Sequence, residues 1–517
     1  MSAWGNSGSM RSCDSLLKRV EANDAKLKEL VVLPMKKFGS QEVFRLAKCL
    51  ESGRNTNLRS LQASGHAVGD VDALEALGRA LVLVETIAIG DSEMGDDGVC
   101  ALCRGLESNE SVKDGSNGLK TIDLSCKKIE REGLVAILRV FTKLPSLQSI
   151  DLSRNETIGP SFDFRKVMSS LSLPMPVFRG LTHLDLSGCG LDAQSLATLL
   201  TAMKNEQGSI ESPARNLVLN LNSNDLSDRG HLKTMMNLLA TGRIVTELSI
   251  SSCQIGDEGI KEFVDECFCF TKSNLPRTSS DDKSNGQFLR KLNLSNNNVA
   301  SIEHLANRLD ESAGEAQPND CHYLSDLQSL NLSGNPLGQN LLAGIQSNTK
   351  WISSLEDLDL SHTSCEVPGA IELISRSNTR NSRLKRLNLF GNSFGSEGFM
   401  ELSKVLHGGH RSLDYLDLGG NGATEHGVIA LVEVLKNSMG DSSEDGEYKS
   451  AEEATENTLR VLVVGGNTGG PALEKVVKEV QKVHPDLDVA RDKPKTKNNA
   501  MAGNNMLNNT PGTTWTS

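Results

Sequence analysis

Aromatic residues are scarce in this chain, and a long apolar run is absent. Phe, Trp and Tyr make up 4 % of the 517 residues, which argues against a core of large rings and suits a narrow core filled by leucine. No apolar run reaches the roughly 18 residues that a membrane-spanning helix needs, and the first twenty residues hold no apolar segment of signal-peptide length. We therefore expect a cytoplasmic protein without membrane insertion.

Positive charge is also in short supply. The chain has 54 Lys and Arg against 66 Asp and Glu, which gives a net charge of -12. Binding to phosphate backbones needs a basic face, so this balance argues against nucleic acid as the main partner. The 11 cysteines are odd in number and have no framework spacing, so we expect reduced, buried thiols. Cys100 and Cys103 form a lone C-x-x-C, and without a second ligand pair zinc is not expected.

Sequence motifs for catalysis are few. No G-x-x-x-x-G-K-[ST] loop and no H-E-x-x-H helix occurs. The string G-x-S-x-G at Gly391 to Gly395 matches the turn of a repeat, and no Asp and His follow it as in a hydrolase. The 10 histidines are scattered. We therefore expect a non-enzyme with no cofactor, no metal and no small-molecule substrate.

Leucines, by contrast, recur at fixed spacing. Leu384, Leu387 and Leu389 follow the pattern L-x-x-L-x-L, and Leu413 starts the pattern again 29 positions after Leu384. This distance lies inside the roughly 20 to 29 residue period of leucine-rich repeats. Such a unit buries its apolar side only against copies of itself, so the pattern predicts a stack of repeats.

The unit also predicts its local structure. Leu387 and Leu389 alternate with polar residues, as in a short strand with one buried face. Asn392 falls where the chain leaves that strand, and its amide can bond neighbouring backbone groups. Ser396 is a candidate N-cap of the helix that follows.

About fourteen such units follow one another, from Leu27 to Leu459. The predicted fold is α/β, a leucine-rich repeat solenoid or horseshoe with a parallel sheet on the concave face and helices on the convex face. We predict one solenoid at 13–490, with a disordered arm at 1–12 and a disordered tail at 491–517. Polar insertions are predicted near 271–287, 311–323 and 440–457, all after helices.

Wording such as LSISSCQIGDEGIKEFVDEC resembles the ribonuclease-inhibitor-like class of leucine-rich repeats. Within that class, 119–250 is most similar to the CARMIL family of actin regulators, through LQSIDLSRNETIG, LTHLDLSGCGLDAQSLATLL and NLVLNLNSNDL. The resemblance implies a role in cytoskeletal or signalling regulation. CARMIL proteins have a pleckstrin-like domain before the repeats and a basic capping-protein-binding segment behind them. This chain begins its repeats almost at once and ends soon after them, so neither membrane binding nor uncapping is expected.

Side chains between the leucines should face the concave surface, and the unusual ones gather toward the carboxyl end. Asp357, Arg386 and Tyr415 share a column on successive strands, Asp417 lies two positions after Tyr415, and Phe390 replaces the serine that is usual in its own column. The acid, the guanidinium and the ring can stabilise one another by an ion pair and a cation–π contact. Alternatively, they are anchors for a protein partner, because aromatic residues and arginine are enriched in interface hot spots. We predict that Phe390 and Tyr415 are solvent-accessible on the inner sheet, because a ring packed inside could not anchor a partner.

Two function classes remain open at this point. The first is a non-catalytic scaffold that binds a protein through the concave sheet and loop rim. The second is a GTPase-activating protein of the RanGAP kind, which is also built on ribonuclease-inhibitor-like repeats. RanGAP-type proteins end in a strongly acidic tail, whereas the acidic block at 440–457 is internal here and the tail is basic. This difference favours the scaffold.

Overall fold

The computed structural model describes eleven stretches of the chain and divides them into two compact units between Ser249 and Ile250. The described residues are 11–113, 117–170, 180–205, 216–242, 245–268, 288–313, 323–347, 350–379, 382–407, 412–437 and 458–490. The predicted arm, the three insertions and the tail lie outside these residues, except for 11–12, 311–313 and Tyr323. The division of the chain into one solenoid with these appendages stays a prediction.

Unit 1 is built from short parallel strands that alternate with helices. In its main sheet β2 pairs with β4, and from β4 to β10 each strand pairs with the next along the chain. β1 and β3 form a separate two-stranded parallel sheet. The strands are β1 (Arg11–Ser12), β2 (Glu29–Val31), β3 (Lys36–Lys37), β4 (Ser60–Ser64), β5 (Thr86–Gly90), β6 (Thr121–Asp123), β7 (Ser149–Asp151), β8 (His183–Asp185), β9 (Leu217–Asn220) and β10 (Val245–Ser249). The helices are α1 (Asp14–Glu21), α2 (Ser40–Glu51), α3 (Val71–Ala80), α4 (Gly95–Ser108), α5 (Glu110–Lys113), α6 (Arg131–Phe141), α7 (Phe164–Ser170), α8 (Ala193–Asn205) and α9 (Arg229–Gly242), with a 3₁₀ turn at Glu156–Ile158.

Unit 2 repeats the same design. Its strands pair in parallel in chain order. They are β11 (Lys291–Asn293), β12 (Ser329–Asn331), β13 (Asp357–Asp359), β14 (Arg386–Asn388), β15 (Tyr415–Asp417), β16 (Val461–Val463) and β17 (Asp488–Ala490). The helices are α10 (Gly256–Phe268), α11 (Glu303–Ala313), α12 (Asn340–Ser347), α13 (Lys350–Ser354), α14 (Val367–Ser377), α15 (Gly395–Leu406), α16 (Glu425–Asn437) and α17 (Pro471–Val483).

The leucine columns form the core, as the spacing predicts. In the repeat of β14, Leu384, Leu387 and Leu389 are fully buried, and Phe399 and Leu402 of α15 are buried with them. Between these leucines, Arg386 is exposed. The predicted α/β leucine-rich repeat fold is confirmed.

Asn392 ties the repeats together. Its Nδ2 donates to the carbonyls of Leu360 and Leu389 at 2.9 and 3.0 Å, and its Oδ1 accepts the N–H groups of Thr363 and Cys365 at 3.1 and 2.9 Å. One buried amide thus satisfies backbone groups of two successive turns, which would otherwise be buried without partners. The role predicted for Asn392 is confirmed.

The cap predicted at Ser396 is wrong. α15 begins at Gly395, so Ser396 lies inside its first turn, and no side-chain bond caps that helix. The Ser396 hydroxyl instead accepts the N–H of Thr424 at 2.9 Å and lies 2.7 Å from the Thr424 hydroxyl. Ser396 therefore supports the start of the next repeat's helix, α16.

Most thiols are buried, as expected. Among the described residues, Cys13, Cys103, Cys189, Cys253, Cys267 and Cys365 are buried and free of disulfides, whereas Cys126 is exposed. Burial raises the pKa of Cys189 and Cys365 to about 12. These thiols act as small apolar side chains.

Candidate functional site

Three neighbouring strands of unit 2 carry the side chains that stand out in the sequence. β13, β14 and β15 pair so that Asp357 lies opposite Arg386 and Arg386 opposite Tyr415. The leucine that follows each of them is fully buried, so alternation turns the three polar positions to the other face of the sheet. We call this the open face.

Arg386 links its two neighbours on the open face. Its Nε lies 3.7 Å from Asp357 Oδ2, and its Cζ lies 5.0 Å from the ring centroid of Tyr415. The Arg386 and Asp357 side chains are 60 % and 45 % exposed, so the ion pair contributes at most about 1 kcal/mol. The predicted ladder of an ion pair and a cation–π contact is present, and it leaves much of the guanidinium open to solvent.

Asp357 differs from an ordinary surface carboxylate. Burial raises the pKa of its carboxyl group, the charge of Arg386 opposes the rise, and the charge of Asp359 adds to it. Asp359 itself accepts the N–H and hydroxyl of Ser361 at 2.9 and 2.7 Å, and the Nδ2 of Asn388 at 2.9 Å. A fixed carboxylate therefore lies beside Asp357.

Asp417 holds Tyr415 in place from beneath. The Tyr415 hydroxyl donates to Asp417 Oδ2 at 3.3 Å, and the N–H of Gly419 donates to Oδ1 at 2.8 Å. Burial raises the pKa of Tyr415, and the charge and hydrogen bond of Asp417 raise it further. Asp417 is only 2 % exposed, and its two bonds place it to orient the tyrosine.

Phe390 lies on the next column over a surface of glycines. A side chain added at Gly419 or Gly420 would come within 2.9 or 2.7 Å of the Phe390 ring, so the ring occupies space that only glycine leaves free. The His362 ring meets it edge to face at a centroid distance of 5.2 Å. The glycines and the histidine therefore set the orientation of Phe390.

Both aromatic rings are half-buried. One side of each rests on the sheet, and the remainder can be reached by an approaching protein. The structure brings Asp357, Arg386, Tyr415 and Asp417 together and places Phe390 one column away. Their role in binding a partner stays a prediction.

His362 and the glycine surface escaped the sequence analysis. The register that aligns Asp359 with Asn388 also carries His362 toward Gly391, where an added side chain would lie 2.5 Å from the imidazole. His362 and Gly391 each lie three positions after the paired residues Asp359 and Asn388, so the spacing of the repeats predicts that they are neighbours.

A second set of polar side chains lies on the open face of unit 1. Asp123, Asp151 and Asp185 are aligned on β6, β7 and β8. Asp123 and Asp185 each accept the hydroxyl of the serine two positions later, at 2.7 and 2.5 Å. Burial, together with the charges of Asp185 and Asp123, raises the pKa of Asp151 to about 6. The recurring Asp-x-Ser pattern thus shapes the turns of the repeat.

The described residues hold neither a metal-binding cluster nor a membrane-spanning helix. No cluster of three or more His, Cys, Asp or Glu side chains there is arranged to hold a metal ion. Within the same residues, no helix combines the length and the apolar character needed to cross a bilayer.

Comparison with known families identifies the repeats. Models described as Leucine Rich repeat match 243–264 and 380–403, and a second Leucine Rich Repeat model matches 326–348. These matches agree with the sheet, the buried leucine columns and the Asn392 bonds. The chain has the leucine-rich repeat fold, and these three segments match the repeat models.

The chain is similar to two curated proteins. It is 26 % identical over 333 residues to the NACHT, LRR and PYD domains-containing protein 5 of Bos taurus, a match that covers 57 % of this chain and 29 % of that protein. It is 25 % identical over 363 residues to the ribonuclease inhibitor of Mus musculus, covering 67 % of this chain and 73 % of the inhibitor.

The chain is also similar, at low identity, to two solved structures. An internalin, inlF, from Listeria monocytogenes is 16 % identical with a TM-score of 0.39, covering 80 % of this chain and 86 % of the other. The leucine-rich repeat-containing protein LegL7 from Legionella pneumophila is 17 % identical with a TM-score of 0.37, covering 72 % and 95 %.

Proposed function

We propose that this protein is a non-catalytic scaffold that binds a protein partner on the open face of unit 2, with Arg386, Phe390 and Tyr415 as anchors. One observation carries the proposal. Arg386 lies over the Tyr415 ring on the open face, Phe390 replaces the serine that is usual in its own column, and both rings are half-buried and contacted by a neighbour that orients them. Oriented arginine and aromatic side chains lose little conformational entropy on binding and dominate many interfaces.

Support also comes from the class of protein. Leucine-rich repeat proteins generally act as interaction scaffolds, and the similar mouse protein is called an inhibitor of ribonuclease. The finer proposal, that the partner acts in cytoskeletal or signalling regulation, rests on the resemblance of 119–250 to the CARMIL family. Co-sedimentation with actin filaments tests the actin part directly, and absence from the pellet would remove it.

Affinity purification from source cells, followed by mass spectrometry, tests the binding proposal. The variants are Phe390→Ser, which installs the serine usual in that column, and Arg386→Ala. Each should weaken binding of the captured protein roughly 30-fold, because loss of a hot spot costs about 2 kcal/mol.

The matched control is Val483→Ala, a truncation of an apolar side chain on α17 that is 49 % exposed. It should bind like the unaltered protein, and circular dichroism should show that all variants are folded. A partner that binds every variant equally would remove the open face of unit 2 as the binding surface. Faster GTP hydrolysis by a Ran-type GTPase in the presence of the purified protein would contradict the non-catalytic part.

A further inference from the structure

The ion pair on the open face of unit 2 is loose, and both of its members keep hydrogen-bonding capacity. Arg386 Nε and Asp357 Oδ2 are 3.7 Å apart, which is longer than a hydrogen bond. Among the described residues, neither side chain takes part in any hydrogen bond. The carboxylate can therefore still accept N–H groups, and the guanidinium can still donate several.

Both side chains are within reach of an approaching protein. Those of Arg386 and Asp357 are 60 % and 45 % exposed, and they lie opposite each other on neighbouring strands, about 4.8 Å apart. The Tyr415 ring contacts the guanidinium and limits its motion. The open face thus presents a hydrogen-bond acceptor and a hydrogen-bond donor side by side.

The charges of this pair decide which partner group fits there. A carboxylate drawn to Arg386 would also lie close to Asp357, and an ammonium group drawn to Asp357 would lie close to Arg386. Because the Coulomb energy falls only as the inverse of distance, repulsion at this spacing offsets much of either attraction. A neutral group with an N–H and a C=O next to each other meets no such repulsion, and both of its hydrogen bonds are to charged groups, which are the stronger kind.

Two further carboxylates near the pair are already bound within unit 2. Asp359 and Asp417 are 9 % and 2 % exposed, and both accept hydrogen bonds from neighbouring N–H and O–H groups. Their charge adds to the repulsion of a partner carboxylate. A partner cation could bind neither of them directly, because their oxygens are buried and occupied.

Apolar surface adjoins the pair on the side of β16. Val461 lies opposite Tyr415 in the sheet and is half-buried. In the next column, the Phe390 ring rests on Gly419 and Gly420. A partner residue beside the one bound at the ion pair therefore meets apolar atoms.

We propose that the partner bound on the open face inserts the carboxamide of an asparagine or glutamine between Asp357 and Arg386. Its N–H group donates to the Asp357 carboxylate, and its C=O group accepts from the Arg386 guanidinium. An apolar side chain next to it contacts Tyr415 and Val461. This inference rests on the function proposed above and specifies the chemistry of the partner.

A phage library of short random peptides, selected on the immobilised full chain and depleted on Phe390→Ser, is the probe. The depletion retains only peptides that need the open face. These peptides should be enriched in Asn or Gln next to an apolar residue. In a synthetic copy, exchange of that Asn for Asp, or of Gln for Glu, should weaken binding at least about tenfold, because the amide donor becomes a charged acceptor facing Asp357.

Substitutions in the pair should reverse this preference. On Asp357→Ala, which leaves the guanidinium alone, the Asp or Glu peptide should bind more tightly than its amide counterpart. On Arg386→Ala, which leaves the carboxylate alone, a Lys in the same position should bind best. The double variant Asp357→Arg with Arg386→Asp is the matched control, since it keeps both charges and should keep the preference for the amide. Loss of folding would weaken all peptides alike and could not change their order.

The carboxamide and the proposed function fail in different ways. If no peptide survives depletion on Phe390→Ser, the open face does not bind protein, and both proposals are overturned. If the surviving peptides carry Asp, Glu, Lys or Arg instead of an amide, or prefer no side chain at all, the open face binds protein but the carboxamide is wrong. A preference for the amide that persists on both Asp357→Ala and Arg386→Ala would also overturn it.

Discussion

Two buried ionisable side chains, Lys127 and Asp151, lie near the strand ends of unit 1. Lys127 occupies the turn position that Asn155 takes in the next repeat, yet it is only 2 % exposed. Its Nζ reaches Ser64 Oγ at 3.3 Å, and burial lowers the pKa of its ammonium group, opposed most strongly by Asp123. Asp151, also buried, lies between two further carboxylates. Both residues therefore lower stability when they are charged.

Replacing Asp151 by Asn should stabilise the protein at neutral pH. The pKa of Asp151 is raised to about 6 in the folded state, against about 3.9 in an unfolded chain. Below both pKa values Asp151 is protonated in the folded and the unfolded state, so it does not change the free energy of unfolding. As the pH rises from about 4 toward 6, the carboxyl group ionises only in the unfolded state, and the free energy of unfolding falls. The loss reaches at most about 3 kcal/mol by pH 7, and Asp151→Asn should avoid it.

Thermal unfolding from pH 4 to pH 7 measures this difference. The amide oxygen that Asp151→Asn introduces can still accept the Ser153 N–H, which lies 2.8 Å from Asp151 Oδ1. The gain in melting temperature should therefore be small at pH 4 and grow with pH. Asp486→Asn, at an exposed turn, is the control and should show no such growth. A gain that is equal at both ends of the range would refute the assignment to Asp151.

Sequence alone places some residues well and others poorly. Leu387 and Asn392 were placed correctly because their roles depend on spacing that every repeat shares. Asp417 was expected at the surface by strand alternation, but Tyr415 and Gly419 cover and bond it. Alternation says which face of the sheet a side chain occupies and not how deeply its neighbours on that face bury it.

At the scale of elements, α3 and α4 pack with unusual closeness. A side chain at Gly78 would lie 2.3 Å from Leu102 O, and one at Gly105 would lie 2.1 Å from Glu75 O. Both obstacles are backbone atoms, which cannot rotate aside. The glycines thus set the distance between these two helices.

Gly105→Ala should destabilise unit 1. In a helix interior this change ordinarily gains about 1 kcal/mol, but here the added methyl group must push α4 away from α3. We expect a net loss of roughly 2 kcal/mol, within the range for overpacking, measured as a lower urea midpoint. Gly230→Ala in α9 is the matched control, because its nearest neighbour would be Asp228 Oδ1 at 3.6 Å. Equal stability of the two variants would show that the helices separate without cost.

The start of α15 shows why helix boundaries are hard to derive from one repeat. Serine before a helix favours an N-cap, yet Ser396 bonds Thr424 of the following repeat. The competing partner is 28 positions away in the chain and lies nearby only because the repeats stack. The preference of serine for the N-cap position is overruled here by its contact with Thr424, a residue of the next repeat.

At the scale of the molecule, each unit is held together by contacts between neighbours. In unit 2, β14 pairs with β13 and β15. The Asn392 side chain bonds its own turn and the one before, and the Asn392 backbone N–H donates to Asn421 Oδ1 of the next turn at 2.7 Å. A linear stack of this kind distributes stability over adjacent interfaces. A defect in one turn should therefore be felt close by and fade with distance along the stack.

Asn392→Ala tests this decay. The change leaves the N–H groups of Thr363 and Cys365 without their acceptor in a buried site, at a cost of roughly 3 kcal/mol. Hydrogen exchange should accelerate in β13, β14 and α15 and stay unchanged in β11, three strands away. Asn340→Ala, which removes one exposed bond to Ala300 O, should change little anywhere. Uniform acceleration throughout unit 2 would mean that its repeats open as a single cooperative block, because a nearest-neighbour stack cannot transmit the loss undiminished to β11.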